Sequence, residues 1–335
     1  MKKSILFLTG ILIFIFLALF LTNCSAHRQE EISFRNSDIV LQGTLYLPSG
    51  KRISPAIVFV GGSGRSPREN TRWYAEYFAY HGIAALVYDK RDVGSISATE
   101  LVSGADLAGD VLAAVQMLKQ RGDIDAKRIG LWGGSQGSGI AARAAAQSED
   151  VAFLISVSGG GVTYEELSNY QNANRLRARG FSEEEIRAAN AAVRELYDYV
   201  RTRKNPQAAQ AALDRAWQNR WASVVFASGR IPTEEEMSTW IQWREINRSP
   251  THDWERIQIP VLAFWGENDE VVPVEPSVER IREALNKAGN KDVTILIIPG
   301  ADHNLMRQPN PENMPAPEYL EAMIDWVLKR TGAEK

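Results

Sequence analysis

A chain of 335 residues is long enough to bury one large core, or a core that carries an insertion. Its 38 Lys and Arg against 41 Asp and Glu leave a net charge of -3 with no basic stripe, which argues against a nucleic-acid partner. The single cysteine, Cys24, excludes an intramolecular disulfide, so the stability of the fold has to come from its core.

Residues 1–26 differ in kind from the rest. Lys2 and Lys3 precede an unbroken apolar run from Ile5 to Leu21, and the chain turns polar at Thr22. A positive start and an apolar centre form the pattern of a secretory signal, and the run reaches the lower limit for spanning a bilayer. Leu21-Thr22-Asn23-Cys24 resembles the bacterial lipoprotein signal, in which the cysteine is lipidated and becomes the new N-terminus. Cleavage after Ala26 and a retained membrane anchor are the other readings. All three export the protein: the lipoprotein and anchor readings place it at a bacterial cell envelope, with membrane association through this segment or through lipidated Cys24, and cleavage after Ala26 makes it secreted or periplasmic.

From Ile32 the pattern is that of a sheet protein. Ile32-Ser33-Phe34 and Ile39 to Leu47 alternate around Asn36-Ser37-Asp38, as an antiparallel hairpin does. Ala56 to Val60 is a continuous apolar run, typical of a strand buried on both faces, and it ends in Gly61-Gly62-Ser63-Gly64. A short helix over Trp73 to His81, a strand over Ala84 to Tyr88 and an exit loop Asp89-Lys90-Arg91-Asp92 follow. Leu107, Val111, Val115 and Leu118 then repeat at helical spacing. A strand begins at Ile129 and another runs from Ala152 to Val157. Alternating strands and helices predict a parallel sheet covered by helices.

The rhythm changes over residues 163–251, where no strand is evident. Three helix starts carry the Ser/Thr-x-x-Glu capping pattern: Thr163 with Glu166, Ser182 with Glu185, and Thr233 with Glu236. Trp217, Trp221, Trp240 and Trp243 supply bulk. The segment reads as a helical cap inserted after the sixth strand, between a first core part at 27–162 and a second at 252–335. The second part resumes with Val261 to Trp265, a helix through Val278, Ile281 and Leu285, a strand from Val293 to Ile298, and a last helix through Tyr319 to Val327. The fold class is α/β, with eight strands, mostly parallel.

Chemistry concentrates at the ends of these strands. The run from Ile129 stops abruptly in Gly133-Gly134-Ser135-Gln136-Gly137, and a small-residue helix follows. In that strand–turn–helix context Gly-x-Ser-x-Gly is a nucleophile elbow: the turn strains Ser135 and lifts its Oγ to the N-terminus of a helix. A serine hydroxyl needs a base within hydrogen-bond reach. Of the four histidines, His27 follows the leader, His81 closes a helix and His252 leaves the helical insertion. His303 lies just beyond the last strand, where open α/β sheets place their chemistry, and is the candidate base. The acid that orients it belongs in Trp265-Gly266-Glu267-Asn268-Asp269-Glu270, which leaves the preceding strand. Asp269 is chosen, with Glu267 and Glu270 read as solvated loop charges and Asp302 as too close in sequence to turn back on His303. An oxyanion would be held by the backbone N–H of Gln136 and that of Ser63, whose loop can approach closely because of Gly61 and Gly62. The histidines are scattered without a His-x-x-x-His pair, so no metal and no cofactor is expected.

Five stretches, Val58 to Gly64, Tyr88 to Ser95, Ile129 to Gly137, Phe264 to Pro273 and Pro299 to His303, together resemble the α/β-hydrolase fold superfamily. Within it the chain is similar to bacterial esterases related to dienelactone hydrolases and to the catalytic domain of prolyl oligopeptidase-type enzymes. The resemblance spans most of residues 30–160 and 255–330 and leaves out the helical insertion. It implies a serine hydrolase that cleaves a small-molecule carboxylic ester through an acyl-enzyme. A thioesterase or small-peptide hydrolase would use the same three residues, and the short stretch before Ala56, with no room for the β-propeller usual in those peptidases, favours esters. A non-catalytic envelope module that keeps the fold for binding is the reading of a different class.

Overall fold

The computed structural model of the protein describes residues 27–50, 53–91, 102–310 and 313–333. The expectations for the leader at 1–26, Cys24 included, and for the Asp92 to Ser95 end of the loop after Tyr88 lie outside the described residues.

The described chain builds one eight-stranded sheet in the order β1-β2-β4-β3-β5-β6-β7-β8. Strands β1 (His27–Asn36) and β2 (Ile39–Pro48) form the expected hairpin, with Asn36 facing Ile39 across a two-residue turn in which Ser37 has φ 53°. Strand β2 runs antiparallel to β4 (Ala84–Tyr88), and all later pairings are parallel. Strands β3 (Ser54–Val60), β4, β6 (Phe153–Val157) and β7 (Val261–Gly266) are buried along their whole length, as their unbroken apolar runs require. Strand β8 (Val293–Ile298) closes the far edge.

Strand β5 (Ile124–Gly134) begins earlier than its apolar run predicts. Ser54 pairs with Ile124 and Ala56 with Ile129, so an irregularity of register admits the polar Asp125-Ala126-Lys127-Arg128 into the strand. Asp125 ties that stretch together by accepting from the Lys127 backbone at 2.9 Å and the Arg128 guanidinium at 2.7 Å. Apolar periodicity does not register such a polar bulge.

Helices cover both faces. Helix α1 (Arg72–Tyr80) lies on one face with the C-terminal helix, while α2 (Gly104–Lys119) and α3 (Gln136–Ala145) lie on the other. Between β6 and β7 come α4 (Tyr164–Ala178), α5 (Glu183–Thr202), α6 (Pro206–Ala216), α7 (Ala222–Val225), α8 (Glu234–Thr239) and α9 (Ile241–Arg244), with no strand among the described residues there. Helix α10 (Val274–Lys287) joins the face of α2 and α3, and α11 (Pro317–Thr331) joins that of α1.

All three Ser/Thr-x-x-Glu starts form reciprocal capping boxes, at Thr163, Ser182 and Thr233. The helical block has an apolar cluster of its own, built from Leu176, Ile186, Val193, Tyr197, Leu213, Trp221 and Trp243. Trp217 departs from expectation: it is 38% exposed, because its indole N–H donates to the Ser228 carbonyl at 3.1 Å and the ring stays at the surface.

Polar contacts bind the block to the sheet. Tyr170 Oη donates to the Asp269 carbonyl at 2.6 Å, and Asn174 Nδ2 to that of Glu270 at 2.8 Å. Arg280 of α10 forks onto both carboxylate oxygens of Glu166 at 2.7 Å each. The Arg280 hydrogen bonds, opposed by partial burial and helped by Thr163, pull the Glu166 pKa down to about 2. Because the folded pKa lies below the unfolded one, the stabilisation is complete above about pH 4.5 and fades as pH falls toward 2. Glu166 keeps 43% of its side-chain surface exposed, so solvent screening limits the effect to roughly 0.5–1 kcal/mol. Denaturant melts of Glu166→Gln are therefore expected to show that deficit against wild type at pH 7, and the two curves to converge near pH 2.

Candidate active site

The end of β5 meets the start of α3 at Ser135, whose φ of 53° and ψ of -122° lie where side chains larger than glycine are strained. Two close backbone approaches hold it there. A Cβ on Gly133 would sit 2.4 Å from the Gly137 carbonyl oxygen, and one on Gly137 would sit 2.2 Å from that of Val60. The Ser135 N–H donates to the Val157 carbonyl at 2.8 Å, fixing the turn against β6.

Three side chains distant in sequence converge on this point. His303, in the loop after β8, places Nε2 3.1 Å from Ser135 Oγ and Nδ1 2.8 Å from Asp269 Oδ2. Asp269 is 1% exposed, and its other oxygen accepts the backbone N–H groups of Val271 and Val272 at 2.8 Å each. A carboxylate can only accept, so the arrangement assigns the proton of the neutral ring to Nδ1 and leaves the Nε2 lone pair facing the serine hydroxyl.

The other carboxylates of the two loops hold turns. Glu267 accepts from the Gly300 N–H at 2.8 Å. Asp302 accepts from the N–H groups of Asn304 and Met306 at 2.8 and 2.9 Å, which shapes the turn that carries His303. Glu270 is exposed.

Ser158 was not visible as a functional residue from pattern alone. It follows β6 directly with φ 51°, and its Oγ donates to the His303 carbonyl at 2.8 Å, clamping the histidine loop to the sheet. The signal was its place in Ser158-Gly159-Gly160-Gly161, at the same sheet edge as the other strand-end residues.

Ser135, Gln136 and Ser63 share the wall of a cavity of about 320 Å³. Apolar side chains line part of it: Ile140, Val162, Leu167, Ile241, Val271 and Val272. The cap tryptophans do not; Trp221 and Trp243 belong to the block's own cluster. Another part of the wall is charged. Arg143, two helical turns beyond Ser135 on α3, donates to Glu245 at 2.8 Å and to Asp253 at 3.3 Å. Asp253 also takes Arg248 at 2.7 Å on both carboxylate oxygens. Burial disfavours the Arg143 charge, yet Glu245 and Asp253 together raise its pKa above the usual guanidinium value.

Among the described residues no group of three or more His, Cys, Asp or Glu is arranged to hold a metal ion, and no helix is long and apolar enough to cross a membrane.

A family model described as Hydrolase_4, serine aminopeptidase S33, matches residues 52–310. The thiohydrolase aneE of Aspergillus aculeatus is 34% identical over 131 residues, which are 38% of this chain and 41% of that protein. The quorum-quenching protein AidA of Acinetobacter baumannii is 30% identical over 128 residues, 38% of this chain and 42% of that one. The match thus spans well under half the length of these curated relatives. Among solved structures, an esterase of Pyrococcus furiosus superposes with a TM-score of 0.56 at 19% identity, covering 91% of each chain, which speaks to the fold.

The Gly137 contact makes a measurable demand. Gly137→Ala has to push α3 away from β3, against backbone that cannot rotate aside, and is expected to lower the unfolding free energy by roughly 2–3 kcal/mol in denaturant melts.

Proposed function

The chain belongs to the serine aminopeptidase (S33) family of hydrolases, and from that premise we propose that it is a serine hydrolase acting on a carboxylic ester. Membership bears out the α/β-hydrolase resemblance of the five strand-end stretches. The observation that carries the reading is the pair of contacts made by one imidazole, 3.1 Å to Ser135 Oγ and 2.8 Å to Asp269 Oδ2.

Ser135 Oγ attacks the acyl carbon while His303 Nε2 takes its proton. Asp269 stays ionised, steadied by two backbone N–H groups, and stabilises the imidazolium that forms. The carbonyl oxygen gains negative charge, which in this reading the N–H groups of Gln136 and Ser63 and the N-terminus of α3 stabilise. Collapse of the tetrahedral adduct expels the alkoxide, which leaves as an alcohol with the proton from His303. Water then enters, gives a proton to the same nitrogen, attacks the acyl-enzyme and releases the acid, returning Ser135 to its hydroxyl.

A thioester is the second reading, favoured by the similarity to a thiohydrolase over 131 residues. The same residues perform it with a thiolate leaving group. The mixed wall of the cavity, apolar on one side and charged at Arg143, Glu245, Arg248 and Asp253, supports a substrate that combines an apolar acyl part with a polar part. The pattern of residues 1–26 supports a place in the cell envelope, tethered by the leader or by lipid on Cys24, and mass spectrometry of the mature N-terminus tests it.

A fluorophosphonate probe is expected to label the wild-type protein and not Ser135→Ala. Labelling that persists in the variant, or is missing from both, removes the catalytic reading and leaves the binding module. Asp269→Asn is expected to lower kcat by roughly 10³–10⁴-fold, because the imidazole loses its tautomer and its counter-charge. A panel of p-nitrophenyl esters of rising acyl length, run beside an acyl thioester and an anilide, ranks the substrate classes by kcat/KM.

A further inference from the structure

We infer that Lys90 is a positioning residue for the oxyanion site, acting through the Gly62–Ser63 peptide; the inference rests on the serine-hydrolase reading above. Lys90 lies just past β4, part-buried, and its ammonium group donates to the Gly62 carbonyl at 2.8 Å and to Gln136 Oε1 at 2.6 Å. One cation thus bridges the loop after β3 and the residue after the nucleophile, the two segments that supply the oxyanion N–H groups.

The geometry of a peptide unit turns the first contact into an orienting device. The cis peptide among the described residues is Gln308–Pro309, so the Gly62–Ser63 bond is trans, and its C=O and N–H point in opposite directions within one plane. Fixing the Gly62 oxygen on Lys90 therefore aims the Ser63 N–H away from Lys90, and Ser63 faces the cavity that Ser135 and Gln136 also line. Gly62 is close enough for this to matter: a Cβ placed there would lie 3.6 Å from that of Ser135. The lysine charge on the carbonyl side also polarises the peptide, making its N–H a stronger donor toward developing negative charge.

Lys90 is itself held at both ends. Its own N–H donates to the Ser66 carbonyl at 3.2 Å, and the neighbouring Asp89 accepts from the Arg68 N–H at 3.0 Å, so the β4 exit loop and the β3 exit loop are stitched together. On the other side Arg91 donates through Nε to Asp110 of α2 at 2.7 Å, with Asp110 1% exposed. The ammonium group consequently projects from a braced backbone, which an orienting role needs and a surface charge does not.

An N–H that is present but poorly aimed affects the transition state more than the ground state, because the neutral ester carbonyl needs it less than the oxyanion does. The test is steady-state kinetics of Lys90→Met and Lys90→Arg on the best ester of the panel, with inhibition by an alkyl boronate, which forms a tetrahedral adduct on the serine, and by a simple carboxylate product. Loss of one oxyanion donor altogether lowers kcat by roughly 10²–10³-fold, so misaiming it in Lys90→Met is expected to lower kcat about 10–100-fold, with KM within about twofold. Boronate affinity should fall by the same factor as kcat/KM while the carboxylate binds as before, and Lys90→Arg should recover most of the loss.

A folded Lys90→Met protein with kcat within about threefold of wild type overturns the inference, as does a loss shared equally by boronate and carboxylate. If Lys90→Met fails to fold, Lys90→Gln, which keeps a shorter neutral donor, takes its place under the same criteria. Wild-type activity that disappears in Ser135→Ala is measured in the same series, so failure of the serine-hydrolase reading shows in those two proteins whatever the Lys90 variants do.

Discussion

The approach of Gly137 to the Val60 carbonyl is the contact on which the rest of the site depends. Helix α3 can start against β3 only because neither residue 133 nor residue 137 carries a side chain there. That proximity confines residue 135 to a backbone conformation which serine adopts only under constraint. The constraint comes from rigid parts: β3 and the Ile129 to Gly133 stretch of β5 lie side by side near the middle of the sheet, both buried. A hydroxyl presented this way has little freedom to lose when it reacts, and the loops bearing Asp269 and His303 have a fixed target to meet.

Those loops are held by backbone hydrogen bonding more than by packing. Asp269 is fastened by the two N–H groups after it, Asp302 by two within its own turn, and the His303 carbonyl by Ser158 from the neighbouring strand. Each clamp sits at the C-terminal edge of a parallel strand, so the converging Ser135, Asp269 and His303 and the residues that steady them share one rim of the sheet. Tyr170, donating to the Asp269 carbonyl, brings the helical block into the same network.

Much of this was legible in the residues. Continuous apolar runs identified the buried strands, because a strand covered on both faces has no polar position to spare. Capping boxes located three helix starts in the block, since the Ser/Thr and Glu exchange hydrogen bonds only with each other's local backbone and need no tertiary partner. Residues 135, 269 and 303, which the fold brings together, and residues 63 and 136, which line the adjoining cavity, are singled out by the sequence because the expected chemistry belongs at strand ends. Less was visible where the determining partner is far away in sequence. The start of β5 was set by its register with Ser54, Trp217 stays at the surface through its bond to Ser228, and nothing around Lys90 announces that its ammonium group reaches a carbonyl on a different loop. Arg143 is a similar case: within an alanine-rich helix it looks like a solvent-facing charge, and only the fold brings Glu245 and Asp253 over it.

That charged wall has a further consequence. Taken at residue 251, the seam between helical insertion and sheet divides the four groups evenly: Glu245 and Arg248 fall on one side, Arg143 and Asp253 on the other. Each half is electrically neutral by itself, and Arg143 keeps a carboxylate within its own half. Two of the three pairs, Arg143 with Glu245 and Arg248 with Asp253, nevertheless cross that seam, so the charged wall fastens the helical insertion to the sheet, and parting the layers would break both.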